Sequence, residues 1–386
     1  MSIDALPALP ALPLPPGVRS RVVANHNGLQ MHVLEAGFES GPRPGLLLLH
    51  GFPELAYSWR KVMVPLAEAG WHVMAPDQRG YGRTTGWDAD YDGDLASFRL
   101  LNLARDALGL VHAMGHRRVS VIGHDFGSPV AACCALTRPD VFERVALMSA
   151  PFAGVHALPF NSANLPPSAP APAHDLNADL AALPRPRKHY QWYYSTRGAN
   201  DEMLHCPQGL HAFLRAYYHH KSADWPHNHP HPLQARTASE LAQLPDYYIM
   251  DLDKGMSTTV APQMPTAAQI AANTWLPDRE LAVYAAEFAR TGLQGGLQWY
   301  RCQTDGHKNG DLQLYAGRTI DVPSIFIAGR ADWGPWQWPG AMQTMQNTVC
   351  TKLRGCHFVD GAGHWVQQEQ PEEVTRLLLT FLRDEA

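Results

Sequence analysis

The chain lacks an excess of charge of either sign and has no long apolar run. Only 17% of its 386 residues are charged, and 31 basic against 36 acidic side chains leave a net charge of -5. Such a balance offers no basic surface for nucleic acid or an anionic membrane. No stretch approaches the ~18 consecutive apolar residues of a membrane-spanning helix. We therefore expect no nucleic-acid partner, no membrane span and a cytoplasmic location.

Cysteine is scarce as well, with six residues in the whole chain. Their spacing matches no metal site and no disulfide framework, so reduced structural thiols are the expected state. The six are Cys133, Cys134, Cys206, Cys302, Cys350 and Cys356.

Histidine, in contrast, is abundant, and five of the 20 histidines fall close together at His219, His220, His227, His229 and His231. No cysteine or carboxylate shares their spacing, and two prolines break any helix that would align the rings. The pattern predicts a solvated loop, and we expect neither a metal ion nor another cofactor.

The first residues contain a proline at every second or third position and no basic segment. This pattern excludes a signal helix and favours an extended arm of polyproline type over residues 1–19. After the arm, residues 21–23 and 31–34, which contain several apolar side chains, flank Asn27 and Gly28, and this pattern is a strong signal for a β-hairpin.

Short apolar runs then recur at 45–49, 71–76 and 119–122, with helical spacing of apolar residues at 57–68 and 95–114. Continuous apolar runs of this length are typical of parallel strands buried on both faces. Alternation of such strands with helices predicts an α/β fold with a mostly parallel, doubly wound sheet.

The alternation stops after residues 145–149 and resumes with apolar runs at 323–328 and 355–359, followed by an amphipathic helix at 374–382. The intervening residues are rich in proline, histidine and aromatics. We predict one core formed by residues 20–151 and 319–386, with a mainly helical cap (lid) domain inserted at 152–318. Within the cap, the Pro- and Ala-rich segment 165–186 is predicted to be irregular.

The most informative motif is Gly-His-Asp-Phe-Gly at residues 123–127, directly after the apolar run 119–122. A buried strand that leads through Gly-x-X-x-Gly into a helix is the pattern of a nucleophile elbow, which exposes residue X at the top of the sheet. X is usually serine, but here it is Asp125. A carboxylate nucleophile suits attack at saturated carbon.

Such a nucleophile needs an oxyanion site, a base that activates water, and an acid that orients the base. The backbone N–H groups of Phe52 and Phe126 are the predicted oxyanion hole. Asp332 and His364 follow the runs 323–328 and 355–359, so both are expected at the carboxyl edge of the sheet, where ligands bind. The alternative roles are a helix N-cap for Asp332 or Asp125 and a polar loop residue for His364.

Four motifs together resemble the α/β-hydrolase-fold epoxide hydrolases and the related haloalkane dehalogenases. They are His-Gly-Phe-Pro-Glu at 50–54, Asp-Gln-Arg-Gly-Tyr-Gly at 77–82, the elbow at 123–127, and Gly-His at 363–364. The order nucleophile, acid, histidine is also that of the family. The resemblance implies that Asp125 forms an alkyl-enzyme ester, which water activated by His364 then hydrolyses.

In epoxide hydrolases, two cap tyrosines protonate the departing oxygen. The family motif matches residues 295–301 and implies that Tyr300 is one of them. The second falls in a segment similar to residues 189–193, where Tyr190 is our choice and Tyr193 the competitor. Packing within the cap is the alternative role of these aromatics. Further residues are assigned to the substrate pocket: His50, Pro53, Tyr193, Trp299 and Trp365.

Haloalkane dehalogenases commonly hold the halide with a tryptophan directly after the nucleophile, but this chain has Phe126 there. Fluoroacetate-type dehalogenases place arginine at the first and fourth positions after it, which here are Phe126 and Pro129. We therefore predict an epoxide hydrolase that consumes an epoxide and water. A dehalogenase and, less favoured, a non-catalytic binding protein remain the alternatives. The identity of the epoxide, the selectivity and the oligomeric state stay open.

Overall fold

The computed structural model describes residues 10–39, 41–155, 175–304 and 309–384. The strands are β1 Val18–Ala24, β2 Gln30–Ala36, β3 Gly45–Leu49, β4 His72–Pro76, β5 Val119–His124, β6 Phe142–Met148, β7 Arg187–His189, β8 Ile249–Asp251, β9 Ser324–Gly329 and β10 Leu353–Val359. The helices are α1 Arg60–Glu68, α2 Leu100–Ala113, α3 Gly127–Thr137, α4 Leu176–Ala181, α5 Tyr190–Tyr194, α6 Ala199–Leu204, α7 Leu210–Lys221, α8 Ala238–Leu241, α9 Met256–Val260, α10 Ala267–Ala272, α11 Asp278–Thr291, α12 Gln294–Thr304, α13 Ala341–Thr344, α14 Val366–Glu369 and α15 Pro371–Arg383.

Eight strands form one sheet in the order β1-β2-β4-β3-β5-β6-β9-β10. β1 and β2 form the hairpin that Asn27 and Gly28 predict, and they add to the sheet in antiparallel orientation. The other six strands of this sheet, β4, β3, β5, β6, β9 and β10, run parallel to one another. This topology confirms the predicted doubly wound α/β fold, and it places the carboxyl ends of β3, β5, β9 and β10 at one edge.

The apolar runs form strands because both faces of the sheet are covered. Within β3, Leu46 and Leu48 pack in one hydrophobic cluster with α1 and α15, while Leu47 and Leu49 pack in another with α2 and α3. Alternate side chains of a strand point to opposite faces, so a strand buried on both sides must be apolar at every position.

The arm contributes to the core through the part that the structure describes. Leu12 and Leu14 pack against the hydrophobic clusters, and the carbonyls of Pro10 and Pro13 accept hydrogen bonds from Arg83 and Tyr57. β1 begins at Val18, so the last two residues assigned to the arm belong to the sheet. Residues 1–9 lie outside the described part.

Between β6 and β9, the described residues 175–304 form α4 to α12 and a two-stranded sheet of β7 and β8. We call these residues the insertion. The first part of the segment predicted to be irregular, residues 165–174, lies outside the described residues. The remainder corrects the prediction, since Asp175 caps α4 through the N–H groups of Asn177 and Ala178, and Leu180 is fully buried.

The described part of the chain has no helix that is both long and apolar enough to cross a membrane. Cys133, Cys134, Cys206, Cys350 and Cys356 carry free thiols, and five of the six cysteines are buried. Burial raises the pKa of Cys133 to about 12, so this thiol stays protonated and serves as a small apolar side chain.

Candidate active site

Asp125 lies at the turn between β5 and α3 with a positive φ of 51°. The strain is tolerated because the flanking positions are glycines with no room for a Cβ. A Cβ on Gly123 would lie 2.0 Å from the carbonyl oxygen of Gly127, and one on Gly127 would lie 2.2 Å from that of Leu49. The close packing of this turn against β3 therefore requires both glycines and projects the Asp125 carboxylate from the edge of the sheet.

The two carboxylate oxygens of Asp125 have different partners. Oδ1 accepts the backbone N–H of Phe52 at 2.9 Å, and Oδ2 lies 3.1 Å from Nε2 of His364. Gly51 is required here too, since its Cβ would lie 2.3 Å from Oδ1. The Asp125 side chain keeps 14% of its surface accessible, whereas the side chains of His364 and Asp332 keep only 2% and 1%.

His364 is oriented from its other side by Asp332. Nδ1 of His364 lies 3.0 Å from Oδ1 of Asp332, which also accepts the N–H of Gly334 at 2.7 Å. Asp332 follows β9 and His364 follows β10, so the two neighbouring parallel strands deliver both residues to the same edge. The sequence thus brings Asp125, His364 and Asp332 together in one hydrogen-bonded chain.

Both carboxylates of this hydrogen-bonded chain, those of Asp125 and Asp332, are held in the ionised form. Burial by itself would raise the pKa of Asp125, but the hydrogen bond and charge of His364, with a smaller contribution from Lys221, lower it below its ordinary value. Burial also opposes ionisation of Asp332, and His364 again lowers the pKa. An ionised and accessible Asp125 is the form that can attack carbon.

Tyr300 and Tyr190 meet on the insertion side of this site. Their ring centroids are 5.9 Å apart, and the Tyr300 ring also packs edge-on against Phe52 and Phe126 at 5.4 and 5.2 Å. Burial raises the pKa of both phenols well above its ordinary value, and the Asp125 charge raises it further. Both hydroxyls therefore hold their protons and remain donors.

Tyr193 points elsewhere. Its hydroxyl donates to Glu202, and its ring is covered by Lys188, 5.0 Å from the ring centroid. Of the two candidates for the second phenol, the structure brings Tyr190 to Tyr300 and gives Tyr193 a partner on α6 instead.

Comparison with known proteins identifies the family of this chain. A family model described as alpha/beta hydrolase fold matches residues 44–371. Epoxide hydrolase A of Mycobacterium tuberculosis is 34% identical over 375 residues, which cover 95% of this chain and 98% of the relative. Epoxide hydrolase B of the same organism is 30% identical and covers 93% and 97%. The chain belongs to the α/β-hydrolase-fold epoxide hydrolase family.

Solved structures of family members agree. An epoxide hydrolase from an endophytic Streptomyces superposes with a TM-score of 0.72 at 31% identity, over 95% of this chain and 96% of that one. Epoxide hydrolase A from Mycobacterium thermoresistibile has a TM-score of 0.70 at 32% identity, over 95% and 98%. The family and fold predicted from the motifs are thereby confirmed.

The remaining residues assigned to the substrate pocket are buried side chains that support the surroundings of Asp125. The His50 ring accepts the N–H of Gln78 at Nε2 and packs edge-on against Tyr81. Three hydrogen bonds of these residues link the insertion to the rest of the fold. The carbonyl of Pro53 accepts from the Tyr218 hydroxyl of the insertion. Trp299, also in the insertion, donates to the carbonyl of Arg79, and Trp365 donates to the carbonyl of Tyr218. Trp299 also packs against Phe126 at 5.0 Å.

Glu54 and His124 belong to the family motifs, but their pairing was not predicted. Nδ1 of His124 lies 2.6 Å from the Glu54 carboxylate, and Nε2 lies 2.7 Å from the carbonyl oxygen of His364. Both partners are acceptors, so both ring nitrogens must carry protons. Burial opposes the charge on His124, but Glu54 raises its pKa above the ordinary value. The pair joins the Phe52 loop, the elbow and the backbone of His364.

Lys221 is a second residue that sequence patterns did not single out. Its Nζ lies 5.0 to 5.8 Å from the centroids of four aromatic rings, those of Tyr217, Tyr247, Tyr248 and Trp365. Its charge helps to lower the pKa of Asp125. No periodic signal marks such a residue, because the rings that surround it come from α7, the residues just before β8 and the loop after β10.

The histidine cluster divides into two parts. His227, His229 and His231 are exposed, as a solvated loop requires, but His219 and His220 are buried in α7. The prediction was wrong for these two because the His220 ring packs between Trp225 and Tyr247. Burial lowers the pKa of His220 to about 3, so it packs as a neutral ring. Within the described ranges, no three metal-ligating side chains converge.

Proposed function

We propose that this protein hydrolyses an epoxide to a vicinal diol in two steps, through a covalent ester on Asp125. The observation that carries the proposal is the pairing of an accessible, ionised Asp125 with the two protonated phenols of Tyr300 and Tyr190. Ring opening at carbon needs a nucleophile and a proton donor together, because the oxygen leaves as an alkoxide.

In the first step, Oδ2 or Oδ1 of Asp125 attacks an epoxide carbon, and the carbon–oxygen bond breaks. Tyr300 and Tyr190 bind the departing oxygen and supply its proton. The raised pKa of the buried phenols supports this role, since a donor must remain protonated until the alkoxide forms.

In the second step, His364 removes a proton from water, and the resulting hydroxide attacks the carbonyl carbon of the ester. Asp332 holds the ring through Nδ1. The N–H groups of Phe52 and Phe126 stabilise the oxyanion. Collapse breaks the bond between the ester carbonyl carbon and the diol oxygen, releases the diol and restores the Asp125 carboxylate. The proton that His364 took from water returns to the phenol that gave up its proton in the first step.

The surroundings of Asp125 favour epoxide over halide as the leaving group. Phe126 has no polar side-chain atom and packs edge-on between Trp299 and Tyr300. The indole N–H of Trp299 donates to the Arg79 carbonyl at 2.9 Å, so it is occupied and not free to hold a halide ion.

We also propose that residues 152–318 act as a cap over a core of residues 20–151 and 319–386. The contacts of Tyr190 and Tyr300 with Phe52 and Phe126 support this division, since the proton donors and the nucleophile then come from different parts of the chain. The free thiols of Cys133, Cys134, Cys206, Cys350 and Cys356 are consistent with an intracellular location.

The decisive experiment uses the variant His364→Gln, which retains a hydrogen-bonding side chain but cannot act as the base. We expect an adduct on Asp125 whose mass equals that of the whole epoxide, found by mass spectrometry of the intact protein and its peptides. His112→Gln, an exposed histidine on α2, is the matched control and should turn over without accumulating the adduct.

Two outcomes would contradict the proposal. A His364→Gln protein that forms diol at the wild-type rate without an adduct would exclude the ester mechanism. An adduct that has lost a halide, obtained with an alkyl halide and accompanied by wild-type halide release greater than diol formation, would support the dehalogenase instead.

A further inference from the structure

The backbone on both sides of His364 is held by one carboxylate, that of Glu369 at the end of α14. Oε2 of Glu369 accepts the N–H of Gly363 at 2.9 Å, and Oε1 accepts that of Trp365 at 2.9 Å. Oε2 also accepts the N–H of Ala223 at 2.8 Å, which lies in the insertion. Glu369 therefore joins the two neighbours of His364 to the segment that follows α7.

The same segment of the insertion contacts His364 directly. The N–H of His364 donates to the carbonyl of Lys221 at 2.9 Å. A Cβ on Gly363 would lie 2.5 Å from the carbonyl carbon of Ser222 and 2.6 Å from the nitrogen of Ala223. The two backbones are thus in close contact, and residue 363 must be glycine for the insertion to approach this far.

These contacts leave His364 little freedom. Its N–H is bound to the insertion, its carbonyl accepts from His124 at 2.7 Å, and its neighbours are bound to Glu369. The imidazole position follows from that backbone, whereas Asp125 is also held by the elbow and by the N–H of Phe52. A shift of the His364 loop therefore moves the base more than the nucleophile.

We propose that Glu369 and residues 221–223 form a clamp that positions His364 for hydrolysis of the ester. This inference rests on the proposed function, because it concerns the second of the two proposed steps. The clamp acts through the backbone of Gly363 and Trp365, so Glu369 is a positioning residue.

The substitution Glu369→Gln tests the clamp with minimal change of side-chain shape. The glutamine amide offers one oxygen and one NH₂ group, and the NH₂ group would face a backbone N–H that now has an acceptor. At least one of the three hydrogen bonds is lost, and the loop from Gly363 to Trp365 shifts away from the insertion.

The experiment separates the two steps with Glu369→Gln and the matched control Glu372→Gln, an exposed position at the start of α15. Single-turnover mixing with a chromogenic epoxide gives the rate constant for ester formation, and the decay of the adduct gives that for hydrolysis. For Glu369→Gln we expect hydrolysis to slow by about 10- to 100-fold, since small displacements of a catalytic group have effects of this size. Ester formation should stay within about two-fold of wild type, so kcat and KM fall together while kcat/KM is retained.

Ala223→Pro is the second variant. It removes the N–H that the insertion donates to Glu369 and puts the proline Cδ in its place, so the carboxylate must move away from residue 223. The preceding Ser222 has φ -88° and ψ 172°, a conformation that proline accepts in its neighbour. The variant should give the same split between the two rate constants.

The clamp would be refuted if both rate constants fell in parallel, which a general loss of structure would produce, or if hydrolysis kept its wild-type rate in both variants. Failure of the proposed function is distinguishable, because in that case wild type forms no diol and His364→Gln forms no adduct, whatever residue 369 is.

Discussion

Two regions of the molecule contain nearly the same hydrogen-bonded chain of side chains, yet only one is the proposed active site. In the first, Asp332 and Asp125 lie 3.0 and 3.1 Å from the two ring nitrogens of His364. In the second, Asp77 and the Ser20 hydroxyl each lie 2.7 Å from a ring nitrogen of His32. The second chain has the arrangement of a serine-nucleophile triad, on the hairpin side of the sheet.

Their surroundings differ. Asp77 is saturated by the backbone N–H groups of Ala56 and Arg83, each at 2.9 Å, so it braces the loop that follows β4. At the other end, Ser20 lies on β1, in regular strand pairing without a sharp turn. Asp125, in contrast, projects from a strained turn and has an N–H donor and two phenols beside it. A hydrogen-bonded triad is thus not by itself a reactive site; the nucleophile must also be projected and the developing charges must find donors.

The two hydrogen-bonded chains should differ most in the effect of replacing Asp125 and Ser20, the residues at their ends. Asp125→Ala should reduce diol formation by on the order of 10⁴-fold or more, since it removes the covalent nucleophile. Ser20→Ala should leave kcat within about two-fold of wild type. Steady-state diol assays on both variants measure this. A large loss of activity in Ser20→Ala would show that the comparison is mistaken.

The phenols provide the next contrast. Tyr300→Phe should slow ester formation by about 10²-fold, and Tyr190→Phe by a similar or smaller factor, because each removes a proton donor while the ring remains. Tyr193→Phe is the matched control, since the Tyr193 hydroxyl donates to Glu202. Single-turnover kinetics check these values, and equal losses in Tyr193→Phe and Tyr190→Phe would remove the distinction between the two candidates.

Replacement of the second histidine should affect stability and spare catalysis. His32→Gln leaves the buried Asp77 with a poorer partner and should lower the free energy of unfolding by about 1–3 kcal/mol. The folded fraction should keep its kcat. Urea unfolding, with midpoint and slope compared between variant and wild type, measures the loss. A variant as stable as wild type but inactive would mean that this chain takes part in the reaction.

The smallest effect concerns acid stability. Burial by itself would raise the pKa of Asp77, but the charge and hydrogen bond of His32 lower it to about 2. Because the pKa of Asp77 is lower in the folded protein, its ionised carboxylate stabilises the fold at pH values above the ordinary pKa of 3.8. The contribution disappears as the pH falls through about 2. We expect the stability difference between wild type and Asp77→Asn to shrink by roughly 2 kcal/mol between about pH 5 and about pH 2. A difference independent of pH would show that the charge of Asp77 has no part in it.

Local patterns were sufficient for the strands of the main sheet, the hairpin and the chain formed by Asp125, His364 and Asp332, because each of these residues follows a strand that its own sequence marks. They did not reveal β7 and β8 in the insertion, where no strand was predicted. They also missed α4, which forms in a proline-rich stretch because Asp175 caps it, and the burial of His220 under Trp225 and Tyr247. The partners of His220 do not lie at a spacing that a periodic pattern detects.

The sequence by itself determined the α/β fold, the aspartate nucleophile and its order relative to the acid and the base. It did so because parallel strands leave their following residues at a common edge. Only the tertiary structure decided between Tyr190 and Tyr193 as the partner of Tyr300, paired Glu54 with His124, and brought Glu369 and Ala223 together around His364. These contacts join residues far apart in the chain, and their geometry depends on how the insertion packs against the sheet edge.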